Sequence, residues 1–265
     1  MIAELFGGFF KGESIMKILL KVTVLSALIT GVFAVSAKAG TFSDFNTDIG
    51  ANRIAAKALL TPFTEDFGGL IGGADFNSGR ALGFPGFDVG IAATVQSKPD
   101  TKNTLLTGVD AFGLPLLQAS VGLPAIGADI TLRGVSLAGL SVIGGGLRYG
   151  VLKSGTLTKF IPDVSVCAFY DVISYDYFKG SHLSFSAAAS FDIPVIKPFV
   201  GIGLDSTSLE VKGVNAVVNG VKADAAKLRY TLGVKFSPLP LVYIYGAYSM
   251  LHGQTGYQGG LGARF

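Results

Sequence analysis

Chemistry in this chain would have to start from few groups. There are two histidines, His182 and His252. Ser184 lies close to the first and Ser249 close to the second. A serine hydrolase needs a nucleophile and a base within hydrogen-bond reach, but no motif surrounds either serine, so surface or loop histidines are the expectation. "IGGGLRYG" (Ile143 to Gly150) has the glycines of a phosphate-cradling loop. It lacks the Lys-Ser/Thr ending and a following helix, which makes it a strand bend. The lone Cys167 cannot form an internal disulfide, and it falls within an alternating stretch that packs it as a small residue. No histidine pair or acidic cluster has metal spacing, and nothing further supports a calcium site in the loop from Asp100 to Asp110. The reading is of a protein that is not an enzyme and has no cofactor or metal.

Seven charged residues remain that share a different property: Asp88, Asp129, Arg133, Arg148, Asp171, Arg229 and Lys235. Each stands on the polar row of a segment that alternates apolar and polar. Hydrophobic residues make up 49% of the 265 and charged residues 15%, well below the roughly one quarter usual in soluble domains. Such a chain buries nearly everything or has an apolar solvent. The net charge of +3 is small, and no Lys/Arg stripe of the kind nucleic-acid binders carry is present.

Residues Met16 to Gly40 have the three parts of a secretory signal. Lys17 and Lys21 form a basic start, Val22 to Val35 are mostly apolar, and Ala37 and Ala39 flank Lys38 in a small-x-small cleavage site. Residues 1–15 fit no part of such a signal. Lys11-Gly12-Glu13 would be encoded by a purine run resembling a ribosome-binding site, so Met16 is the expected true start. The domain reading is therefore 1–39 as extension plus cleaved signal, 40–67 as a periplasmic or lumenal helical segment, and 68–265 as a transmembrane β-barrel. No later run reaches the roughly 18 apolar residues of a spanning helix.

The elements that position the seven charges follow from periodicity. Ile49 to Leu60 reads as a short amphipathic helix with Ile49, Ile54, Ala55 and Leu59 on its apolar stripe, ended by Thr61-Pro62. Further on the period becomes two. "FDVGIAATVQ" sets Phe87, Val89, Ile91, Ala93 and Val95 against small or polar neighbours, and the pattern recurs at 128–133, 164–172, 182–192 and 228–236. Alternating segments of about ten residues are the signature of transmembrane β-strands. In lipid every backbone polar group must be bonded internally, so such strands close into a barrel. The expected fold is all-β: a closed antiparallel transmembrane β-barrel of about ten strands, with twelve as the alternative, behind a short N-terminal helix. Short turns should alternate with longer connections at Ser97 to Leu114, Ser174 to Ser181 and Thr207 to Ala225. Phe191, Phe236, Tyr243, Tyr245 and Tyr257 are expected in the interfacial aromatic girdles. The seven charges then line a narrow pore or pair across a filled lumen, and pairing is favoured because so few strands leave little open cross-section.

The alternation, together with Tyr257, Leu261 and Phe265 in the closing "GYQGGLGARF", resembles the last strand of bacterial outer-membrane β-barrel proteins. That resemblance implies a bacterial outer-membrane location, contact with lipid and lipopolysaccharide, and a final strand that serves as the assembly signal for the periplasmic barrel-assembly machinery. The helix followed by "NSGRALGFPGFDVG" also resembles, more loosely, uncharacterised outer-membrane proteins, and in layout it is similar to long-chain fatty-acid transporters, where an N-terminal segment plugs the lumen. By that likeness the protein is porin-like and passes small or apolar molecules, with residues 41–66 as a partial plug. The alternatives are a non-transporting structural or surface-interaction barrel and a lipid-modifying barrel enzyme using His182 or His252. No oligomeric state follows from the sequence.

Overall fold

The computed structural model describes residues 45–50, 52–106, 108–109, 111–124, 126–155, 161–239 and 241–265, without the side chains of residues 46 and 47. The start at Met16 and the cleavage site at Ala37 and Ala39 lie outside these residues.

Alternation builds the wall. The ten strands are β1 (Phe87–Gln96), β2 (Phe112–Gly122), β3 (Ala128–Leu137), β4 (Leu140–Leu152), β5 (Asp163–Ser174), β6 (Phe178–Ser190), β7 (Ile196–Val211), β8 (Lys222–Phe236), β9 (Val242–Leu251) and β10 (Gln254–Arg264). Each pairs antiparallel with its chain neighbours, and β1 pairs with β10 to close the barrel. Closure removes both sheet edges. The closing seam runs from Asp88 opposite Arg264 to Gln96 opposite Gly256. It is extended by Phe265 and Phe87, which exchange backbone bonds at 2.8 and 3.0 Å. The outward rows are apolar and uncovered, as at Leu132, Ile143 and Leu232, while Thr94, Asp171, His182, Asp205 and Arg229 on the inward rows are fully buried.

The connections differ from the expected short and long alternation. β6 begins at Phe178, β7 runs to Val211 and β8 starts at Lys222, so residues expected in two long loops are paired in strands. These strand ends carry an outward charge ladder, with Glu210 bonded to Lys179 at 3.3 Å and to Lys222 at 3.2 Å. Charges there place the strand ends in water, beyond the apolar belt. Two hairpins on this side close through Ala138-Gly139 and His252-Gly253, all four residues at positive φ, as two-residue turns matching the strand twist require. We call this end the loop rim and the end where β1 begins the turn rim.

The N-terminal segment lies inside the barrel. A one-turn helix, α1 (Phe45–Asp48), precedes α2 (Arg53–Gly72). Asn52 caps α2, its side-chain oxygen accepting from the Ala55 N–H at 2.9 Å. At the loop rim Arg53 donates to the carbonyls of Val217 and Asn219, and Phe45, Phe63 and Phe67 pack around the Phe178 ring. From there α2 descends into the lumen. An irregular stretch, 74–86, continues to the turn rim, where the first strand starts.

Three expectations about this segment are corrected. The helix does not stop at Thr61-Pro62 but continues to Gly72 with Pro62 inside it. Proline removes the bond to the carbonyl four residues back and crowds that carbonyl, here that of Ala58, an exposed residue on the part of α2 nearest the rim, and Thr61 and Thr64 donate to the carbonyls of Lys57 and Leu60. The buried stripe is Ala56, Leu60, Phe63, Phe67, Leu70 and Ile71, whereas Ile54 is 85% exposed. The barrel itself begins at Phe87, not at residue 68.

Candidate functional site

The lumen is the place where this chain concentrates polar chemistry, and the plug decides its geometry. Asp75, just beyond α2, reaches the middle of the barrel. Its Oδ1 accepts from Arg133 Nη1 at 2.8 Å, and its Oδ2 accepts from Arg229 Nη2 and Ser186 Oγ, both at 2.8 Å. Arg133 also forks onto Asp171 at 2.8 and 2.6 Å, and Arg229 onto Asp205 at 3.0 and 3.3 Å. The side chains in these ion pairs have no exposed surface. Bidentate guanidinium–carboxylate pairing of this kind fixes orientation as well as charge.

His252 completes the cluster. Its turn conformation folds the ring inward, where Nε2 lies 3.0 Å from Asp205 Oδ2 and Nδ1 lies 2.6 Å from the Glu65 carbonyl oxygen. A carbonyl and a carboxylate only accept, so the ring sits between two acceptors. Two guanidiniums (Arg133 and Arg229) and the His252 ring therefore face three carboxylates (Asp75, Asp171 and Asp205). Buried charges persist where they are paired and hydrogen-bonded.

Each of the seven charges read from the strands is on the inward row. Arg133, Asp171 and Arg229 belong to the central cluster. Asp129 accepts the backbone N–H groups of Leu82 and Gly83 at 2.9 and 3.3 Å. Arg148 Nη2 donates to the Asp75 carbonyl at 3.0 Å. Asp88 accepts from Tyr243 and Arg264 at 2.8 and 3.0 Å. Lys235 donates to Asn77 Oδ1 at 2.9 Å and lies over the Tyr243 ring. Three of the seven, Asp129, Arg148 and Lys235, touch the plug segment from Asp75 to Gly83 by these bonds, and Arg133 and Arg229 reach it through Asp75.

Small residues let plug and wall approach. A Cβ at Gly72 would lie 2.5 Å from the Asp205 carboxyl oxygens. One at Gly203 would press on the Arg229 guanidinium. Phe76 fills the cross-section beyond Asp75, its ring edge-on to Phe199 at 6.4 Å.

Tyr243 and Tyr245 are not in an aromatic girdle. They face inward and are 5% and 8% exposed, because β9 places Ile244, Tyr248 and Met250 on the outer row instead. Phe191, Phe236 and Tyr257 do stand outward. Cys167 is buried on the inward row. Neither histidine is bonded to a serine among the described residues: His182 Nδ1 meets Thr207 Oγ1 at 2.8 Å, and Ser249 bonds Thr231 and Gln258.

Asp75, Asp205 and the part played by His252 were not legible as a site. Asp75 sits in the glycine-rich stretch Gly72-Gly73-Ala74-Asp75, which has no period to assign it a face. Asp205 does stand on an alternating row of β7, and that signal was available.

A closed barrel with bare apolar outer rows and a polar, filled lumen is a transmembrane β-barrel of the bacterial outer-membrane type. More particularly, residues 102–265 match the model of the "Family of unknown function (DUF6588)", and the chain belongs to that family. No curated protein matches it. Among solved structures it is similar to the N-terminal β-barrel domain of Pseudomonas aeruginosa OprF, at 16% identity over 67% of this chain and 97% of that one, with a TM-score of 0.31. It is similar to Ail, the attachment invasion locus protein of Yersinia pestis, at 16% identity over 69% and 100%, TM-score 0.29. A third is the KdgM porin, at 9% identity over 67% and 99%, TM-score 0.36.

Proposed function

We propose that this protein is a sealed outer-membrane barrel that acts through its rims and outer surface rather than as an open pore. The observation that carries the reading is Asp75, held in mid-lumen by Arg133, Arg229 and Ser186 with no exposed charge among these ion pairs. A pore-lining ring needs hydrated, weakly held charges so that solutes enter and leave. Charges committed to one another across a plug serve closure instead. Passage of small or apolar molecules, the function implied by the likeness to fatty-acid transporters, would require α2 and residues 74–86 to withdraw.

The turn rim holds the start of β1 and the end of β10, and the loop rim carries the charged strand extensions, which supports a periplasmic turn rim and an external loop rim. Tyr257 and Phe265 are exposed on the outer row of the closing strand, where assembly machinery would read them.

Swelling of proteoliposomes in small sugars tests the reading. The refolded protein should leave liposomes as tight as protein-free ones. Swelling that depends on solute size, as porins produce, would overturn it.

A further inference from the structure

The turn rim holds a lysine, Lys235, with no carboxylate in contact with it among the described residues. A cavity of about 400 Å³ opens there between the β6–β7 turn, the β8–β9 turn and the plug. Four cations line it: Arg80, Lys197, Lys235 and Arg264. Asp192 takes Lys197 at 2.6 Å and Arg80, and Arg80 also lies 3.8 Å from Asp163. Asp88, next to the cavity, takes Arg264 at 3.0 Å. Lys235 is left over. It is 4% exposed, and no carboxylate lies within 4.0 Å of its Nζ among the described residues. An ammonium has three donors. Here one reaches an oxygen, Asn77 Oδ1, and the Tyr243 ring lies 3.6 Å from Nζ. A buried charge of this kind is disfavoured unless a counter-charge meets it.

Beside the charged groups the lining holds three serines, Ser78, Ser190 and Ser237, and an apolar stretch formed by Pro194, Val195, Leu239 and Val242. The volume falls within the roughly 300–1,000 Å³ of small-molecule sites. We propose that this cavity binds one anionic headgroup, a phosphate monoester or a carboxylate, carried on a short apolar chain. Lys235 is its charge partner, and the apolar stretch holds the chain. The headgroup comes from a free amphiphile or from a membrane lipid. The proposal is independent of whether the lumen conducts.

Titration calorimetry of the detergent-folded protein with octyl phosphate tests it, with octanol and inorganic phosphate as controls. Octyl phosphate should bind saturably, octanol should not bind, and inorganic phosphate should bind more weakly. Lys235→Met should weaken octyl phosphate binding about tenfold or more, the scale of a lost charge-assisted contact, while heat-modifiable migration shows the barrel folded. Lys197→Met, which removes an ammonium already paired with Asp192, should change affinity less. If Lys235→Met does not fold, the side-chain ¹⁵N resonance of Lys235 in the unaltered protein should shift on addition of octyl phosphate. In nanodiscs, an anionic lipid that suppresses the octyl phosphate heat identifies a lipid source, and undiminished heat identifies a free amphiphile. No saturable heat, equal binding of inorganic phosphate, unchanged affinity in folded Lys235→Met, or an unmoved Lys235 resonance would overturn the proposal.

Discussion

Asp75 is shared between two guanidiniums that come from strands on different parts of the wall, so its removal acts on both at once. Asp75→Ala leaves Arg133 with Asp171 and Arg229 with Asp205, but strips each of a bond at 2.8 Å. Breaking a buried ion pair from one side costs roughly 3–5 kcal/mol. The urea midpoint for loss of the heat-modifiable band should fall accordingly, and Asp75→Asn should cost less because it keeps the shape and one acceptor. An unchanged midpoint for Asp75→Ala would show that the plug is not anchored there. At the turn rim, burial raises the Asp192 carboxyl, but Lys197 and Arg80 outweigh it and hold it below its ordinary value. A carboxylate lowered in the folded state stabilises above its unfolded pKa, about 4, and that contribution is lost as pH falls through the lower folded value. Hydrogen exchange in the β6–β7 turn, corrected for intrinsic rate, should therefore accelerate on acidification, and Asp192→Asn should flatten that acid response. Charges on the strands were legible beforehand because alternation assigns each a side. Asp75 was not, because an irregular lumenal segment takes its geometry from the wall around it.

At the scale of elements, strands declared themselves through period two and the plug did not. The row Leu228, Tyr230, Leu232, Val234, Phe236 outside Arg229, Thr231, Gly233, Lys235 is visible in the residues and in β8 alike. Strand ends were less visible, because Glu210 and Lys222 are as suitable for a loop as for a charged strand edge in water. The second half of α2 was hidden by Pro62 and by glycines, which count against helix in isolation. Burial overrides that preference: Phe63, Phe67, Leu70 and Ile71 are each at most 1% exposed. The same close fit makes a prediction. Gly72→Leu would drive a side chain into the Asp205 carboxylate, and overpacking of this kind costs about 1–3 kcal/mol. The helix should become accessible to added protease while the barrel band persists. Equal protease resistance in the variant would show that α2 has room at Gly72.

The whole molecule combines two solvents. Lipid meets the outer rows, and the inner rows meet the chain's own N-terminal segment rather than a water column. The high apolar content and absence of a spanning helix pointed to strands in a membrane, and ten of them close the wall. That the seven inward charges pair across a filled lumen was favoured by the small strand number, but which groups they pair with was not readable. Their partners prove to be the plug and one another. A barrel so closed should carry no steady ionic current. Single-channel recording of the refolded protein in a planar bilayer tests that most directly. The unaltered protein should leave the membrane silent at moderate voltage, and Asp75→Ala should show discrete openings. Stable, ohmic conductance steps from the unaltered protein would contradict it.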